Sequence, residues 1–259
     1  MTQTESTVID TFKRVEDKYF LTKEQMEEVI RRSGSHLKED VYFKYTVRSV
    51  YCDSGNADLV IRSLMGTGYK AKLRLRCYGE PEHSPIFLET KKKWEGIVYK
   101  KRIMLGEQEA YDYLNEGVPH HVHNNTAGEI DYMIRYYGLK PKVFIAYDRI
   151  CYAAAEESDV RVTFDYNIRY RLHDLDLREY GDEIPLEKAD FTMEVKAMDR
   201  YPLWLTEILS DLKLYQGSFS KYGTIYTQNL EIMTPRAQKP YRYAQYANQK
   251  EKAICSVQY

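Results

Sequence analysis

A run of alternating cations is the stretch of this sequence best suited to chemistry. Residues 69–76 read Tyr-Lys-Ala-Lys-Leu-Arg-Leu-Arg, so a Lys or Arg occupies every second position. Alternate side chains of a β-strand point to opposite faces, and the segment therefore predicts a strand with one cationic face and one apolar face. Such a face could bind a polyanion through charge-assisted hydrogen bonds. The alternative is an ordinary antiparallel sheet whose polar face lies in water.

Other segments repeat the same alternation with the same sign of charge. At least six predicted strands have one apolar face and a second face dominated by Lys and Arg with an occasional Glu. They are predicted within residues 12–21, 69–76, 86–94, 97–105, 141–152, 160–166 and 191–197. Two cations about 6 Å apart repel by about 3 kcal/mol at an effective dielectric constant of about 20. Converging strands of this kind need a counter-ion, which favours a tunnel for a polyphosphate with the charges pointing inward.

Composition excludes several other classes of protein. The chain has 259 residues, of which 43% are hydrophobic and 30% charged, as is typical of a globular protein. The formal net charge of −1 excludes a nucleic-acid binder that works by bulk positive charge. The four cysteines lack the spacing of a zinc site or a disulfide framework. Without an apolar signal core or an apolar run of about 18 residues, the sequence predicts a cytoplasmic protein with no membrane span.

Helices and turns separate the predicted strands. Thr22 and Gln25 have the spacing of a capping box at a helix start. A strand at 41–51, helices at 58–65, 107–116, 126–139 and 202–214, and a tight turn at Glu95-Gly96 are also predicted, and Gly217 is expected to begin the last helix. We expect one catalytic domain over residues 12–233, with a flexible N-terminus at 1–11. The polar, aperiodic residues 234–259 predict a flexible tail.

Taken in order, the polar motifs resemble one known family. They are Arg14-x-Glu16-x-Lys18-Tyr19, Leu73-Arg-Leu-Arg76, Glu89-x-Lys91, Tyr99-Lys-Lys-Arg102, Tyr147-Asp-Arg149, Arg161-x-Thr-x-Asp165, Glu194-x-Lys196 and Phe219-Ser-Lys-Tyr222. Each motif alone is weak, but eight in order are specific. Together they resemble the catalytic domain of the vacuolar transporter chaperone (VTC) polyphosphate polymerases, within the triphosphate tunnel, or CYTH-like, metalloenzymes.

The resemblance implies an α+β fold, in which an antiparallel eight-stranded β-barrel forms a tunnel and helices pack outside. It implies transfer of the ATP γ-phosphate to a growing inorganic polyphosphate chain with release of ADP, and it implies ATP and inorganic polyphosphate or pyrophosphate as binding partners. Mn²⁺ or Mg²⁺ would assist. We expect the protein to lack the regulatory and membrane domains of the eukaryotic complexes, so that any product translocation would need a separate membrane protein as partner.

The resemblance also assigns roles to residues. The expected catalytic residues, which would grip phosphates, are Lys18, Arg74, Arg76, Lys91, Lys100, Arg149, Arg161, Lys196 and Lys221. Further substrate-binding residues are Arg14, Lys72, Arg102 and Ser220. The expected metal ligands are Glu194, Glu16 and Glu89. Within the cationic strand, Arg74 and Arg76 would hold phosphate, while Lys70 and Lys72 would lie nearer the tunnel mouth and steer it.

One departure and several alternatives qualify these roles. The wider tunnel family begins with Glu-x-Glu-x-Lys, whereas this chain has Arg14 at the first position, which favours the polymerase branch and leaves fewer metal ligands. Glu16 and Glu89 could instead orient basic residues, or activate water in a tripolyphosphate or nucleoside-triphosphate hydrolase. A non-catalytic polyphosphate-binding module is the third hypothesis.

Other polar and aromatic residues fit structural roles better. Asp165 fits a role beside the metal or a structural role equally well. His120, His121 and His123 are expected in a solvated loop, and the tyrosine-rich faces are expected to pack between the barrel and its helices. Lys92, Lys93 and Lys101 are expected to point outward, because of strand parity or a position at a strand end.

Overall fold

The fold is given by a computed structural model that describes residues 14–95, 97–155, 160–187, 189–198 and 200–233. The predicted flexible segments 1–11 and 234–259, and Gly96 of the predicted turn, lie outside the described residues. So does the side chain of Arg14. None of the helices in the described part of the chain is long and apolar enough to cross a membrane.

A single antiparallel sheet dominates the molecule. Its strands are β1 (Arg14–Leu21), β2 (Leu37–Asp53), β3 (Tyr69–Tyr78), β4 (Ile86–Trp94), β5 (Ile97–Leu105), β6 (Lys140–Ala154), β7 (Arg161–Arg171), β8 (Ile184–Pro185), β9 (Phe191–Met198) and β10 (Gln216–Gly217). The order across the sheet is β10-β1-β9-β7-β6-β2-β3-β4-β5, with β8 paired to β7. Every predicted strand is therefore present, with small shifts at its ends.

The expected closed barrel of eight strands is not confirmed. In the part of the chain that the structure describes, the sheet has ten strands, and β10 and β5 lie at opposite ends of its hydrogen-bonded order. The sheet nevertheless curls, because β1 and β4 are six places apart in that order and yet Glu16 Oε1 lies 3.4 Å from Lys91 Nζ. Right-handed twist accumulated over long strands produces such curling. The sheet thus curls around an interior, which we call the cavity, and β1 and β4 meet across it through side-chain contacts and not through a complete hydrogen-bond ladder.

Seven α-helices flank the sheet. They are α1 (Lys23–Ser33), α2 (Asp58–Leu64), α3 (Glu107–Tyr111), α4 (Asn125–Tyr137), α5 (Leu203–Asp211), α6 (Lys221–Gln228) and α7 (Leu230–Met233) within the described ranges, and a π-helical turn at Asp112–Glu116 extends α3. The capping box of Thr22 and Gln25 is confirmed.

The expected helix start at Gly217 is wrong. Gly217 pairs with Lys18 as part of β10, and α6 begins only at Lys221. A Cβ atom at position 217 would lie 2.6 Å from the ring of Phe20, so a side chain here would force that ring to move. Glycine allows the last short strand to lie close against β1 before the chain turns into α6.

Three clusters of buried apolar residues hold helices on the sheet. One joins the outer faces of β3 and β4 to α3 and α4, and includes Leu75 and Leu88. A second joins the outer faces of β7 and β9 to α1 and α5, and includes Phe164. The third lies on the opposite face of the sheet, where α6 packs on residues such as Ile145 and Tyr147. The helix α6 therefore fills part of the space that the curled sheet encloses.

Candidate active site

Strand register brings the predicted cations to one face of the sheet. Arg74 lies opposite Tyr51 on β2 and opposite Glu89 on β4. Lys91 lies opposite Lys72 and Lys100 in the same way. We call this face, which carries Arg74, the inner face. The predicted basic residues that the register or contacts assign to it are Lys18, Lys72, Arg74, Arg76, Lys91, Lys100, Arg102, Arg149, Arg161, Lys196 and Lys221.

A buried carboxylate, Glu89, organises the cations of β3 to β5. Arg74 donates to Glu89 Oε2 from Nε at 3.1 Å and from Nη2 at 2.9 Å, and Arg76 Nη1 lies 4.0 Å away. Lys100 Nζ lies 3.2 Å from Oε1, although without hydrogen-bonding geometry. Burial alone would raise the pKa of Glu89, but Arg74, Arg76 and Lys100 lower it. Glu89 is therefore anionic and orients the arginines.

Asp165 plays the same part across the cavity. Its carboxylate accepts hydrogen bonds from Arg149 Nε at 2.6 Å and Nη2 at 2.9 Å, and from Lys221 Nζ at 2.7 Å. Burial opposes ionisation of Asp165, but Lys221 and Arg149 hold the pKa of its carboxyl well below the usual range. Lys221 Nζ also lies 4.1 Å from the ring centroid of Tyr147. The first residue of α6 thus projects into the cationic cavity.

Glu194 is the inner carboxylate with the best chemistry for a metal. Lys196 is paired with it, and Lys18 Nζ lies 4.0 Å away. Burial would raise the pKa of Glu194, but Lys196 and Lys18 lower it to about 2. Directly opposite on β7, Thr163 has a buried Oγ1 without a hydrogen-bond partner among the described residues. Mg²⁺ typically takes one or two carboxylates together with substrate phosphate oxygens, so these oxygens fit a divalent cation that arrives with a phosphate.

The other predicted metal ligands are less suitable. Glu89 is already surrounded by cations, and Glu16 pairs with Lys91 between β1 and β4. In the ranges that the structure describes, no three His, Cys, Asp or Glu residues are grouped as a metal site. A cation in this cavity would therefore depend on the substrate for most of its ligands.

The residues before α6 bridge the strands on either side of the cavity. Lys72 of β3 donates to Ser220 Oγ at 3.1 Å, and Lys18 of β1 donates to the carbonyl oxygen of Phe219 at 3.2 Å. Lys72 was expected near the mouth, but it lies half-buried against the start of α6. Burial and the neighbouring cations lower the pKa of Lys72 to about 8, even though Tyr51 opposes this shift.

Tyr51 is the inner-face residue that the motifs missed. Its hydroxyl accepts a hydrogen bond from Arg74 Nη1 at 3.1 Å, and the side chain is buried. Burial raises the pKa of the phenol, but Arg74, Arg76 and Lys72 more than reverse this and lower it to about 7. In the sequence, Tyr51 is marked only by its position two residues after Ser49, which places both side chains on the same face of the predicted strand.

Some of the basic residues considered in the sequence lie at the edge of the cavity or on the outer face of the sheet. Arg161 is 57% exposed and pairs through Nη2 with Asp40 Oδ2 at 2.8 Å, so it lies at the rim of the cavity. Lys92 and Lys101 both pair with Glu129 of α4, which confirms that they point outward. Lys93 lies opposite Lys70 and Val98 and shares the parity of Lys91, so the register places it on the inner face and the expectation is wrong for it.

The histidine loop differs in part from expectation. His121 and His123 are exposed, but His120 is buried, and its Nε2 lies 3.2 Å from Asp131 Oδ1. The solvated-loop expectation is therefore wrong for His120. The apolar environment around Tyr113, whose ring centroid lies 4.7 Å from that of His120, explains its burial.

A curled antiparallel sheet whose inner face carries converging cations defines the class of triphosphate-tunnel folds. The model of the VTC domain family matches residues 13–229, and the chain belongs to this family. No curated protein matches the chain significantly.

Several solved structures are similar to this chain at low sequence identity. A candidate adenylate cyclase from Bacillus halodurans is 16% identical with a TM-score of 0.52, over 80% of this chain and 93% of that one. A Pyrococcus horikoshii protein is 13% identical with a TM-score of 0.47, over 84% and 100% of the two chains. A candidate adenylate cyclase from Vibrio parahaemolyticus is 11% identical with a TM-score of 0.46, over 83% and 97%. The first of these likenesses supports the fold and says nothing about the reaction.

Proposed function

We propose that the protein is a polyphosphate polymerase, which transfers the γ-phosphate of ATP to the end of an inorganic polyphosphate chain and releases ADP. The observation that carries the proposal is the convergence of basic side chains from at least six strands and the start of α6 on one enclosed face. Membership of the VTC family points in the same direction.

The reaction needs positioning and charge neutralisation more than covalent help. Arg74 and Arg76 on β3, with Lys100 on β5, would hold one part of a triphosphate, while Arg149 and Lys221 would hold another. A terminal phosphate oxygen of the chain attacks the γ-phosphorus, the bond from that phosphorus to the β–γ bridging oxygen breaks, and ADP keeps the bridging oxygen. The attacking oxygen is already ionised near neutral pH, so no general base is required.

A divalent cation fits this proposal as a partner of the substrate. Glu194 would hold Mn²⁺ or Mg²⁺, with Thr163 Oγ1 beside it, and the cation would neutralise charge on the phosphate oxygens. Lys196 and Lys18 keep the Glu194 carboxylate ionised, because they lower its pKa. They would also contribute charge to phosphate binding once a cation replaces them at the carboxylate.

A hydrolase of the same fold is the second candidate, and it needs a group that activates water. Glu89 was one expected base, but the surrounding cations lower its pKa, which makes it a weak acceptor of protons. Glu16 is engaged with Lys91. These pairings favour transfer to an ionised phosphate over attack by water.

The test is incubation of the purified protein with ATP and either Mn²⁺ or Mg²⁺, followed by separation of the products on a gel. A ladder of phosphate chains together with ADP is the expected result. Free phosphate without chains would support the hydrolase and contradict the polymerase. Binding of polyphosphate without any turnover would leave the non-catalytic module.

Variants of the cavity sharpen this test. Arg74→Ala and Glu194→Gln should each lower the rate by at least about a hundredfold, since each removes a group that stabilises charge in transfer. The matched control is Lys101→Ala, which removes a cation from the outer face, where Lys101 pairs with Glu129. If Glu194→Gln kept the normal metal-dependent rate, the assignment of Glu194 to the metal would be wrong.

A further inference from the structure

Three aromatic rings lie together on the inner face, beyond the phosphate-binding cations. Tyr45, Tyr78 and Phe87, which we call the aromatic collar, come from β2, β3 and β4. The ring centroids of Tyr45 and Tyr78 are 5.9 Å apart, and those of Tyr78 and Phe87 are 6.3 Å apart, both edge to face. The collar is therefore a contiguous aromatic surface that belongs to the cavity and not to the outer layers of helices.

The collar adjoins cations proposed to bind phosphate. Phe87 lies directly opposite Arg76, and the guanidinium carbon of Arg102 is 4.3 Å from the ring centroid of Phe87. Tyr78 follows Arg76 by two residues, which corresponds to about 7 Å along a strand. In a nucleotide, the ribose holds the base at a similar distance from the phosphate.

The collar also differs from the tyrosines that pack under α6. All three collar side chains are half-buried, and Met104, opposite Phe87 on β5, is 60% exposed. This end of the inner face is therefore open to solvent. An accessible aromatic surface beside arginines is the arrangement that binds the flat face of a nucleic-acid base.

We propose that the aromatic collar binds the nucleobase of a nucleoside triphosphate whose phosphates occupy the adjacent cationic cavity. This inference rests on the proposed phosphate-binding role of that cavity, and it names the part of the substrate that the cations leave unassigned. Every base has a π face, and the collar binds it by stacking without reading its edge. ATP and GTP should therefore bind with similar affinity.

The experiment compares two ligands that share a triphosphate but differ in the nucleoside. Affinities of the full chain for ATP and for inorganic tripolyphosphate are measured by calorimetry with Mg²⁺ present, for the wild type and for Phe87→Leu and Tyr78→Leu. Each substitution should weaken ATP binding about tenfold and leave tripolyphosphate binding unchanged. The control is Tyr99→Leu, which removes an exposed ring from the other face of β5 and should change neither affinity.

The possible outcomes distinguish failure of the collar proposal from failure of the polymerase proposal. An equal loss of both ligands would make the collar a structural element, and unchanged ATP binding in both variants would exclude a base there. Either result overturns the inference. A selective loss of ATP binding supports it, even if the wild-type protein makes no phosphate chains from ATP, in which case the polymerase proposal alone fails. Wild-type protein that bound neither ligand would overturn both proposals.

Discussion

The same alternating sequence pattern produces two different environments at the two ends of the inner face. At the α6 end, Tyr147 and Ile145 of the sheet are buried beneath the helix. At the collar end, Tyr78 and Phe87 are only half-buried, and Met104 opposite Phe87 is 60% exposed. The residue types at the two ends are similar. The packed end and the accessible end therefore differ in how deeply their side chains are buried, and not in which residues they contain. Between the two ends, buried carboxylates pair with the cations.

The largest test of this contrast removes apolar volume from each end. Ile225→Ala in α6 deletes a fully buried side chain and should destabilise the protein by about 2–5 kcal/mol. Met104→Ala, at the open end, removes a side chain that is 60% exposed and should cost less than about 0.5 kcal/mol. Urea unfolding measures both. Equal losses would contradict the difference between the ends.

A second test concerns the charges between the ends. Asp165→Asn leaves Arg149 and Lys221 without their buried counter-ion and should cost about 3 kcal/mol of stability. At one fixed concentration, tripolyphosphate should stabilise this variant more than the wild type, because phosphate can replace the missing negative charge and therefore binds the variant more tightly.

The control for that test is Asp211→Asn, which alters an exposed pair with Arg32 and should change stability by less than about 1 kcal/mol. Thermal melting of the wild type and of both variants, each with and without tripolyphosphate, measures these changes in stability. A ligand that stabilised the wild type but left the Asp165 variant unchanged would show that Arg149 and Lys221 do not bind phosphate.

The smallest expected effect is a pH dependence of anion binding. The phenol of Tyr51, with its pKa lowered to about 7, is neutral below that pH and anionic above it, and Lys72 loses its positive charge above about pH 8. Both changes remove positive charge from the protein as the pH rises, so the contribution of these two groups to tripolyphosphate affinity should fall from pH 6 to pH 9.

The Tyr51→Phe variant isolates the titration step near pH 7. Phenylalanine cannot ionise, so the affinity of the variant relative to the wild type should rise about tenfold between pH 6 and pH 8. The absorbance of the phenolate, followed in the same buffers, checks the titration directly. A pH profile identical in both proteins would exclude Tyr51 as the titrating group.

Much of the sheet could be predicted because its signal is local. Alternation within a strand places Lys18 with Glu16, or Arg74 with Arg76, on one face whatever the partner strand. The capping box at Thr22 is equally local. Pairing partners are different: Lys221 meets Asp165 across 56 residues, and Tyr51 meets Arg74 only through the register of β2 and β3.

The parts that could not be predicted are too short or depend on the whole fold. Strands β8 and β10 have two residues each, which is too few for a period of two to appear. Burial of His120 arises from Asp131 and Tyr113, which the chain brings together only after folding. The motifs identified cations of the cavity and overlooked its rings, since a tyrosine on an amphipathic strand looks the same whether or not a helix covers it.

The incomplete ladder of the sheet has a mechanical consequence. The Glu16–Lys91 pair joins β1 to β4 by partly exposed side chains, and a pair of this kind contributes about 0–1 kcal/mol. Separating two strands inside the sheet would instead break a row of backbone hydrogen bonds, each worth about 1 kcal/mol. The cavity wall is therefore most compliant along this line. If the proposed reaction takes place, a polyphosphate chain that lengthens inside the cavity would be accommodated by widening there, with the paired strands left intact.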